Sequence, residues 1–269
     1  MITICSIDDT AATTIIILLI ILYRKWIVNQ YVNQKGKTMF CQRWLKKELC
    51  VCLYCVDHYP DNYVAWTYRG WIMEEFIDSK KKLMSELCAM EKWVQMHVSD
   101  HCGYHFKQKI IKRLKEISST DDIALLLLEE LVLVTKLQES FPGHESIWYH
   151  RRFIFDHWHR WFESLSKSSL QELGSQMSHK TEPNGHSVQQ CWMPCVLSLS
   201  SLCRSALVKL RASYGTKTQG LQPPGFPSFQ SELEYCRNIL RKSKDLEHLV
   251  TGYRNWLQLH YGKTNHLLQ

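Results

Sequence analysis

Apolar residues recur at intervals of three and four along most of the chain, which is the period of an amphipathic α-helix. The first such stripe occupies residues 40–56, and Pro60 then marks a break. Asp61 or Asn62 is placed to cap a second helix, because short polar side chains satisfy the free N–H groups at a helix start. The second helix carries the stripe Val64, Tyr68, Trp71, Ile72 and Phe76. This pattern predicts a helical hairpin, two antiparallel helices joined by a short loop.

The same plan occurs twice more along the chain. One hairpin has its break at residues 97–103, with Ser99 or Asp100 as the cap of its second helix. The next has its break at Pro142 and Gly143, between helices at 121–140 and 147–162. The stripes around the first of these breaks are Leu83, Leu87, Met90 and Val94 before it, and Tyr104, Gln108, Ile111 and Leu114 after it. The β-branched runs show neither strand alternation nor hairpin turns, so we predict an all-α fold.

A basic residue followed two positions later by an aromatic residue marks the second helix of a hairpin. The pairs are Arg24 with Trp26, Arg69 with Trp71, Arg151 with Phe153 and Arg254 with Trp256. Lys107 takes the same place in the hairpin between the second and third pairs, so the intervals are 45, 38 and 44 residues. One hairpin per repeat fits these intervals. Neighbouring hairpins then bury each other's apolar faces in an α-α superhelix, or solenoid.

The interval between Arg151 and Arg254 is too long for one hairpin. Residues 164–228 are rich in Ser, Gln, Gly and Pro, which favours a flexible insertion, although the apolar stretch at 191–210 is long enough for one helix. The sequence therefore divides into an N-terminal segment with an apolar run at 1–21, repeats at 22–163, the insertion at 164–228, a final helix pair at 229–262 and a tail at 263–269.

Residues 11–22 form an apolar run that positive charges follow. The run is about half of the roughly 20 residues that a helix needs to cross a bilayer. We therefore expect a buried helix and no stable membrane span, while a signal anchor stays open as the alternative.

The charge balance and the cysteines indicate the compartment and the class of partner. The net charge of +7 lies in short runs, as on a solvated helical surface, which leaves room for an acidic protein partner and does not favour nucleic acid. The 11 cysteines are an odd number, and no signal peptide precedes them. We expect reduced thiols and a cytoplasmic protein.

Three histidines have the spacing of a helical zinc site. His97, His101 and His105 stand four residues apart. Gly103 and the polar cap before it interrupt the helix across these positions, however, so we assign no metal to this chain.

Other reactive residues are better explained by packing or capping. Cys50, Cys52 and Cys55 lack a second half at zinc-ribbon distance and fit the core of one buried helix. No nucleophile elbow, P-loop or glycine-rich dinucleotide motif occurs, and we assign no catalytic residue. We expect capping or solvent-exposed positions for the paired acids Asp121, Asp122, Glu129 and Glu130.

The aromatic and basic residues of the repeats are expected to tie the hairpins together. Trp66 and Arg69, for example, stand three apart on one helix face, so the guanidinium can meet an aromatic plane or a free carbonyl of the next helix. The full set is Arg24, Trp26, Trp66, Arg69, Trp71, Tyr104, Lys107, Trp148, Arg151, Phe153, Arg254 and Trp256.

Two motifs carry a family resemblance. "NYVAWTYRGW" at 62–71 and "ESIWYHRRF" at 145–153 resemble the repeat signature of protein prenyltransferase α subunits. The middle motif is a variant, with Tyr104 and Lys107 where Trp and Arg usually stand. The resemblance covers residues 22–162, with a weaker fit at 229–260. Family members carry further hairpins ahead of this point, and residues 1–21 resemble none of them, so we expect an N-terminally truncated or divergent chain.

The resemblance implies a non-catalytic α subunit of a protein geranylgeranyltransferase of the type III kind. Such a subunit would pair with the Rab geranylgeranyltransferase β subunit to lipidate C-terminal cysteines of substrates such as a farnesylated SNARE. Zinc and geranylgeranyl diphosphate are then expected in the β subunit, and no cofactor in this chain. The alternative is a tetratricopeptide-like scaffold that binds peptides, but its period of about 34 residues is shorter than the intervals found here.

The resemblance also implies which residues face the β subunit. In the family these are the loop residues just before the repeat tryptophan. At the matching positions this chain has Asp61, Asn62, Tyr63, His101, His144 and Glu145. Aligned helix starts are suited to this role because they present free N–H groups. A plain N-cap is the competing interpretation for Asn62.

Overall fold

The computed structural model describes residues 9–36, 42–59, 62–177 and 228–262, with residues 9–14, 42 and 162–177 described by their backbone alone. Every regular element in these ranges is a helix. In chain order the elements are α1 (Asp9–Lys35), α2 (Gln42–His58), α3 (Tyr63–Phe76), α4 (Lys80–Met96), α5 (His101–Ile117), α6 (Thr120–Ser140), α7 (Glu145–Met177), α8 (Phe229–Lys242), a 3₁₀ turn (Lys244–Leu246) and α9 (Glu247–Tyr261). The predicted class, an all-α fold of the helical-hairpin α-α superhelix type, is confirmed.

The first of two compact units spans Met1–Ile117 and contains α1 and two hairpins. Helix α2 packs along α3 and α4 along α5, while α3 also contacts both α1 and α5. The second helix of the first hairpin therefore lies inside this unit, with neighbours on several sides. Side chains without exposed surface in this core include Ala65, Ile72, Leu83, Val94 and Ile110.

The second unit spans Ser118–Gln269. Helices α6 and α7 form one hairpin, α8 packs against α9, and α9 also contacts α7. The helices α8 and α9 lie where the sequence predicts a final helix pair. The core of this unit includes Trp148, Phe155, Cys236, Val250, Tyr253 and Leu257.

The predicted helix starts are confirmed at both polar loops of the first unit. The Oδ1 atom of Asn62 accepts a 3.1 Å hydrogen bond from the backbone N–H of Ala65 and so caps α3. Asp100 caps α5 in the same way, with 2.8 Å between its Oδ1 atom and the backbone nitrogen of Gly103. The predicted break at Pro142 and Gly143 lies between the end of α6 and the start of α7.

Helix α1 differs from the prediction of a buried helix at residues 11–22. Its stretch Ile15–Lys35 is long and apolar enough to cross a membrane by length and composition, and only 11% of it is buried inside the structure. Between residues 15 and 22 only Ile17 and Ile21 are buried. The expectation is wrong because α1 packs against α3 on one face, while its apolar residues extend around the rest of its circumference. Such a helix near the N-terminus is weak evidence for a membrane span.

Helix α7 is longer than predicted. It continues past residue 162 to Met177, into the range assigned to a flexible insertion. The reason lies in the sequence ESLSKSSLQELGSQM, where Glu, Leu, Lys and Gln favour a helix and no proline interrupts it. The rest of the predicted insertion at 178–227, the tail at 263–269 and residues 1–8 lie outside the described residues.

The three cysteines of α2 differ in exposure. Cys52 is buried in the core, as predicted, and Cys55 is half-buried, but Cys50 is exposed. The prediction of core packing is therefore wrong for Cys50, which occupies the solvent side of the helix. Burial raises the pKa of the Cys52 thiol to about 12.

We expect alkylation of the native protein to separate two cysteines of one helix. Iodoacetamide at mildly alkaline pH should modify Cys50 and spare Cys52, because the thiolate is the reactive form and burial keeps Cys52 protonated. Peptide mass spectrometry measures both sites, and the urea-unfolded chain, in which both react, is the control. Equal rates in the folded chain would contradict the core position of Cys52.

Candidate functional site

A glutamate of α2 joins helices α1 and α3. Arg24 of α1 binds Glu48 with two parallel hydrogen bonds, of 2.9 Å from Nε to Oε2 and 2.7 Å from Nη2 to Oε1. The hydroxyl of Tyr68 in α3 donates to Oε2 of the same glutamate at 3.0 Å. The forked geometry matches a guanidinium to a carboxylate and fixes both in orientation. Glu48 therefore holds three helices at once.

The second unit repeats this arrangement with other residues. Arg151 of α7 binds Glu232 of α8 through its Nε and Nη2 atoms, at 2.7 and 2.8 Å. The hydroxyl of Tyr253 in α9 donates to Oε2 of Glu232 at 2.6 Å. The Arg151 and Glu232 side chains are only 4% and 3% exposed. A buried ion pair of this kind is stable only when its polar atoms are hydrogen-bonded.

Further contacts complete the surroundings of Arg151. Its Nη1 atom donates to Thr135 Oγ1 at 3.0 Å and to Gln138 Oε1 at 3.1 Å, both on α6. Its guanidinium carbon lies 3.7 Å from the ring centre of Tyr235, close enough for a cation–π interaction. Arg151 thus connects α6, α7 and α8, in agreement with the prediction that the repeat arginine ties helices together.

Arg151 and the two tyrosines that bind the glutamates keep their protons over the physiological pH range. Burial opposes the charged form of Arg151, but the charge and the hydrogen bonds of Glu232 outweigh it, so the pKa of Arg151 is raised. Burial, together with Glu232, raises the pKa of Tyr253 well above its ordinary value, and burial and Glu48 do the same for Tyr68. Both tyrosines therefore remain hydrogen-bond donors to their carboxylates.

Arg69 makes the corresponding contacts in the first unit. It donates to the backbone oxygen of Leu49 in α2 at 2.7 Å and to Oε2 of Glu86 in α4 at 2.5 Å. Its guanidinium carbon lies 5.5 Å from the ring centre of Phe106 in α5. Phe106 occupies the position that Tyr68 and Tyr253 have in their hairpins. Its ring contacts the Arg69 guanidinium, and it has no hydroxyl to donate to Glu86.

The glutamates are the tie residues that sequence reasoning missed. Each glutamate stands in the first helix of a hairpin. Its counterpart in the second helix, 20 or 21 positions later, is the residue directly before the repeat basic residue. The pairs are Glu48 with Tyr68, Glu86 with Phe106, Glu130 with His150 and Glu232 with Tyr253. A search for a glutamate at this distance from the repeat signature would have found them.

Glu130 corrects a specific expectation. The sequence suggested a helix end or a solvent face, yet Glu130 is buried, and its Oε2 atom lies 3.0 Å from Nε2 of His150. The expectation was wrong because an acidic residue on a helix is exposed only if no neighbouring helix covers it. Of the other predicted acids, Asp121 and Asp122 lie in the first turn of α6 after the cap Ser119, as expected, and Glu129 is half-buried.

The remaining signature residues fall into two groups. Trp66, Tyr104, Lys107 and Trp148 are buried, and Trp71, Phe153 and Trp256 are half-buried, which agrees with packing roles. Two members depart from that expectation, because Trp26 is 55% exposed and Arg254 is also exposed. Trp26 stacks on Tyr23 of its own helix instead of joining two hairpins.

The described residues among those predicted to face a β subunit lie at the starts of three second helices. Asn62 caps α3 and Tyr63 beside it is 64% exposed. His101 and Glu145 are exposed in the first turns of α5 and α7, and His144 is half-buried next to Phe141. Asp61 lies outside the described residues. The cap interpretation of Asn62 is confirmed, and its position at a helix start is compatible with partner contact.

Asp100 holds two of these helix starts together within the first unit. Its Oδ2 atom accepts the indole N–H of Trp66 at 3.1 Å and that of Trp93 at 2.8 Å. A methyl group at Gly103 would lie 2.7 Å from that oxygen, so glycine allows the close approach. The first turns of α3 and α5, which carry Tyr63 and His101, are thereby held next to each other.

The three histidines of the zinc spacing do not lie on one helix, because α4 ends at Met96, before His97, while His101 and His105 both lie on α5. The break is confined to residues 97–100, and the expectation that Gly103 interrupts the helix is wrong, since Gly103 lies in the first turn of α5. The His97 ring stacks on Trp93 with 3.9 Å between the ring centroids. Among the described residues no group of three or more His, Cys, Asp or Glu side chains is arranged to hold a metal ion.

We expect Glu232→Gln to lower the free energy of unfolding by about 3 kcal/mol, because it leaves the Arg151 guanidinium buried without a countercharge. Urea unfolding followed by circular dichroism measures the change. Arg237→Ala in the same helix is the matched control, since its pair with Glu234 is exposed on both sides and its loss should cost less than about 0.5 kcal/mol. A cost for Glu232→Gln as small as that of the control would refute the tie.

Asp100→Ala is expected to cost about 2–3 kcal/mol of unfolding free energy, because it removes a helix cap and deprives two largely buried indole N–H groups of their acceptor. Ser119→Ala removes a cap, with 3.3 Å between Ser119 Oγ and the backbone nitrogen of Asp122, together with one exposed hydrogen bond from the same hydroxyl to Asp122 Oδ2 at 2.6 Å, and should cost about 1 kcal/mol. Equal costs in urea unfolding would mean that the indole hydrogen bonds contribute nothing.

Two parts of the chain match the family model described as Protein prenyltransferase alpha subunit repeat, at residues 45–76 and 127–158. The first match covers most of α2 and all of α3, and the second covers the end of α6 and the first half of α7. The first match contains the repeat arginine Arg69 and the buried Glu48, and the second contains the repeat arginine Arg151 and the buried Glu130.

Several curated proteins are similar to this chain over much of its length. The Danio rerio protein named Protein prenyltransferase alpha subunit repeat-containing protein 1 is 32% identical over 262 residues, which is 80% of this chain and 58% of that protein. The Homo sapiens protein of the same name is 25% identical over 287 residues, 88% of this chain and 64% of that protein. Geranylgeranyl transferase type-2 subunit alpha of Saccharomyces cerevisiae is 23% identical over 106 residues, 39% of this chain and 31% of that protein.

The chain spans less than two thirds of the length of each of these relatives. The repeat matches lie in the hairpins that contain the arginine ties, and the similarity to the vertebrate relatives extends over most of the chain. The resemblance that the motifs predict is confirmed: the chain carries protein prenyltransferase α-subunit repeats and is related to the proteins named Protein prenyltransferase alpha subunit repeat-containing protein 1.

Proposed function

We propose that this chain is a non-catalytic α subunit of a protein geranylgeranyltransferase of the type III kind. It pairs with the Rab geranylgeranyltransferase β subunit in the cytoplasm, and the heterodimer lipidates C-terminal cysteines of substrates such as a farnesylated SNARE. The repeat match at residues 45–76 carries the proposal, because this hairpin also presents the predicted contact residues at its exposed end.

The starts of the second helices supply the contact surface in this proposal. Tyr63 stands in the first turn of α3 with 64% of its surface exposed, and the Asp100 cluster holds this turn beside the start of α5. Exposed tyrosines at a rigid position are typical anchors of protein interfaces. His101 and Glu145 add polar groups in the equivalent turns of α5 and α7.

The positions of the polar residues are compatible with a division of labour between the two proposed subunits. Among the described residues, the buried arginine and glutamate side chains are engaged in ties between helices, and no cluster is arranged for a metal. In the proposed enzyme the β subunit holds the zinc ion, which would activate the substrate thiolate, and the geranylgeranyl diphosphate. This chain holds the β subunit and orients the protein substrate at the helix starts.

Co-expression of this chain with the Rab geranylgeranyltransferase β subunit, followed by size-exclusion chromatography, tests the pairing. A stable complex of one copy each is expected. The yeast type-2 α subunit with its own β subunit serves as the positive control for the method. Separate elution of a folded chain would refute the proposal and favour the tetratricopeptide-like scaffold. Transfer of a radiolabelled geranylgeranyl group to a farnesylated SNARE then tests the reaction.

We expect Tyr63→Ala to weaken β-subunit pairing by about tenfold, because an exposed aromatic anchor is lost while the fold is kept. Pull-down titration with the tagged β subunit measures the affinity. Tyr54→Ala is the matched control, since Tyr54 is similarly exposed, at 62%, but lies on the outer side of α2. Equal affinity of the Tyr63 and Tyr54 variants would remove the helix starts from the interface.

Asn62→Ala separates capping from contact. It should cost about 1 kcal/mol of stability through the lost cap and weaken pairing as well. Ser79→Ala removes the cap of α4 and should cost about the same stability with pairing unchanged. A loss of pairing in both variants would mean that stability, and not contact at residue 62, decides the result.

A further inference from the structure

Arg152 follows the tie residue Arg151 directly but lies on another side of α7. Arg151 points to α6 and α8, where it binds Glu232. Arg152 instead meets α9, because a methyl group added at Gly252 would lie 3.6 Å from its Nη2 atom. Successive residues of a helix are about 100° apart around its axis, so the two arginines have separate surroundings.

Two aromatic rings hold the guanidinium group of Arg152. Its central carbon lies 5.1 Å from the ring centre of Tyr149, three positions earlier on the same helix, and 5.9 Å from that of Trp256 in α9. Trp256 is itself fixed, since it stacks on Tyr253 at 5.9 Å and meets Phe155 edge to face at 6.3 Å. Cation–π contacts orient a guanidinium without using its hydrogen-bond donors. The head group of Arg152 is therefore positioned before any ligand binds.

The guanidinium of Arg152 lacks a polar partner within the described part of the chain. Its Nε atom is buried without a hydrogen bond, and its Nη atoms make neither a hydrogen bond nor an ion pair there. Arg24 and Arg151, by contrast, each bind a glutamate with two hydrogen bonds. A half-buried charge without a partner is costly, and an anion would satisfy it with charge-assisted hydrogen bonds. Arg152 is therefore suited to bind an anion.

The acids that follow Arg152 on α7 do not neutralise it. Asp156 stands four positions later, which is the spacing of an ion pair on a helix. Its Oδ1 atom instead accepts hydrogen bonds from Arg160 at 2.9 Å and from Tyr261 at 2.7 Å. Glu163 is the next acid on this continuous helix, about 16 Å further along the axis. That separation exceeds the combined reach of the two side chains.

The rest of the second unit is poor in acids where it lies outside the described residues. Residues 178–227 contain one acid, Glu182, and residues 263–269 contain none. The first of these ranges carries five basic residues, Lys180, Arg204, Lys209, Arg211 and Lys217. With a net charge of +7 over the whole chain, this balance favours an acidic group of another protein as the countercharge of Arg152.

We propose that Arg152, held by Tyr149 and Trp256, is a carboxylate-binding site that receives an acidic side chain of the partner subunit. The forked guanidinium matches a planar carboxylate and fixes its orientation. Tyrosine, tryptophan and arginine are also the residues that contribute most to the affinity of protein interfaces. The identity of the partner rests on the proposed pairing with a β subunit, whereas the site rests on the contacts of Arg152.

Gly252→Glu tests the site in the isolated chain. The added carboxylate would lie beside Nη2 of Arg152 and should raise Tm by roughly 2–4 °C over Gly252→Gln, because a hydrogen bond to a charged group is gained. Gly252→Gln is the matched control, since glutamine and glutamate have similar helix propensities. The gain should disappear when Arg152→Gln is added to both variants. Thermal unfolding followed by circular dichroism measures all four proteins.

The absence of a gain in Tm over the glutamine variant would overturn the proposal. It would mean that some carboxylate of this chain already neutralises Arg152. A gain that persists in the Arg152→Gln background would overturn the proposal as well, because the added carboxylate would then act elsewhere.

Pairing with the tagged Rab geranylgeranyltransferase β subunit tests the source of the carboxylate. Arg152→Gln should weaken binding about tenfold, the effect of a lost hydrogen bond between charged groups. Gly252→Glu should weaken it too, because the added carboxylate occupies the site. Arg254→Gln removes the same charge from an exposed position of α9 and should leave the affinity unchanged. Equal affinities of the Arg152 and Arg254 variants would overturn the assignment to the partner subunit.

The failure of this inference differs from the failure of the proposed function. A folded wild-type chain that does not bind the β subunit would refute the proposed function, and the Gly252→Glu comparison would then decide the site alone. A wild-type chain that binds the β subunit as tightly as its Arg152→Gln variant would leave the pairing intact and refute the carboxylate site at the interface.

Discussion

A buried carboxylate in the first helix of a hairpin is the interaction on which each unit of this protein depends. Glu48 and Glu232 each receive a forked guanidinium from one neighbouring helix and a tyrosine hydroxyl from another. An ionised carboxylate offers about four acceptor sites, so one side chain can set the spacing of three helices. Apolar packing alone would tolerate sliding between them. The ionic tie selects one arrangement, because any other leaves a buried charge without its partner.

Because of these ties, the interior of the repeats and the ends of their helices have different roles. The arginines and glutamates are engaged in the interior, while the first turns of α3 and α5 are completed by the short polar caps Asn62 and Asp100 and leave exposed side chains such as Tyr63 and His101. A helix start that is capped by its own residue and fixed by an internal tie is rigid without any partner. Such a surface loses little conformational entropy when it binds, which suits a subunit whose role is to hold another protein.

The sequence predicted the elements of the fold because local signals determine them. The three-and-four spacing, the cap at Asn62 and the break at Pro142 all act within a few residues, and the structure has helices and loops at these places. The glutamate partners were not predicted, because whether Glu130 is buried depends on a helix that begins 15 residues later in the chain. The exposed face of α1 was not predicted for the same reason. The spacing of apolar residues indicates which face of a helix can be buried. Which residues are buried depends on the helices that pack against it.

The tie between Arg151 and Glu232 joins residues that are 81 positions apart in the chain. Doubling the length of a loop adds only about 0.6 kcal/mol of closure entropy, so the number of residues between the two can vary at little thermodynamic cost. The order in which the chain is synthesised limits the formation of this tie more strictly than the loop length does. Arg151 leaves the ribosome long before Glu232 exists, and until then its polar partners are the neutral Thr135 and Gln138 of α6. The second unit therefore acquires its countercharge last, and its cooperative folding waits for the C-terminal helices.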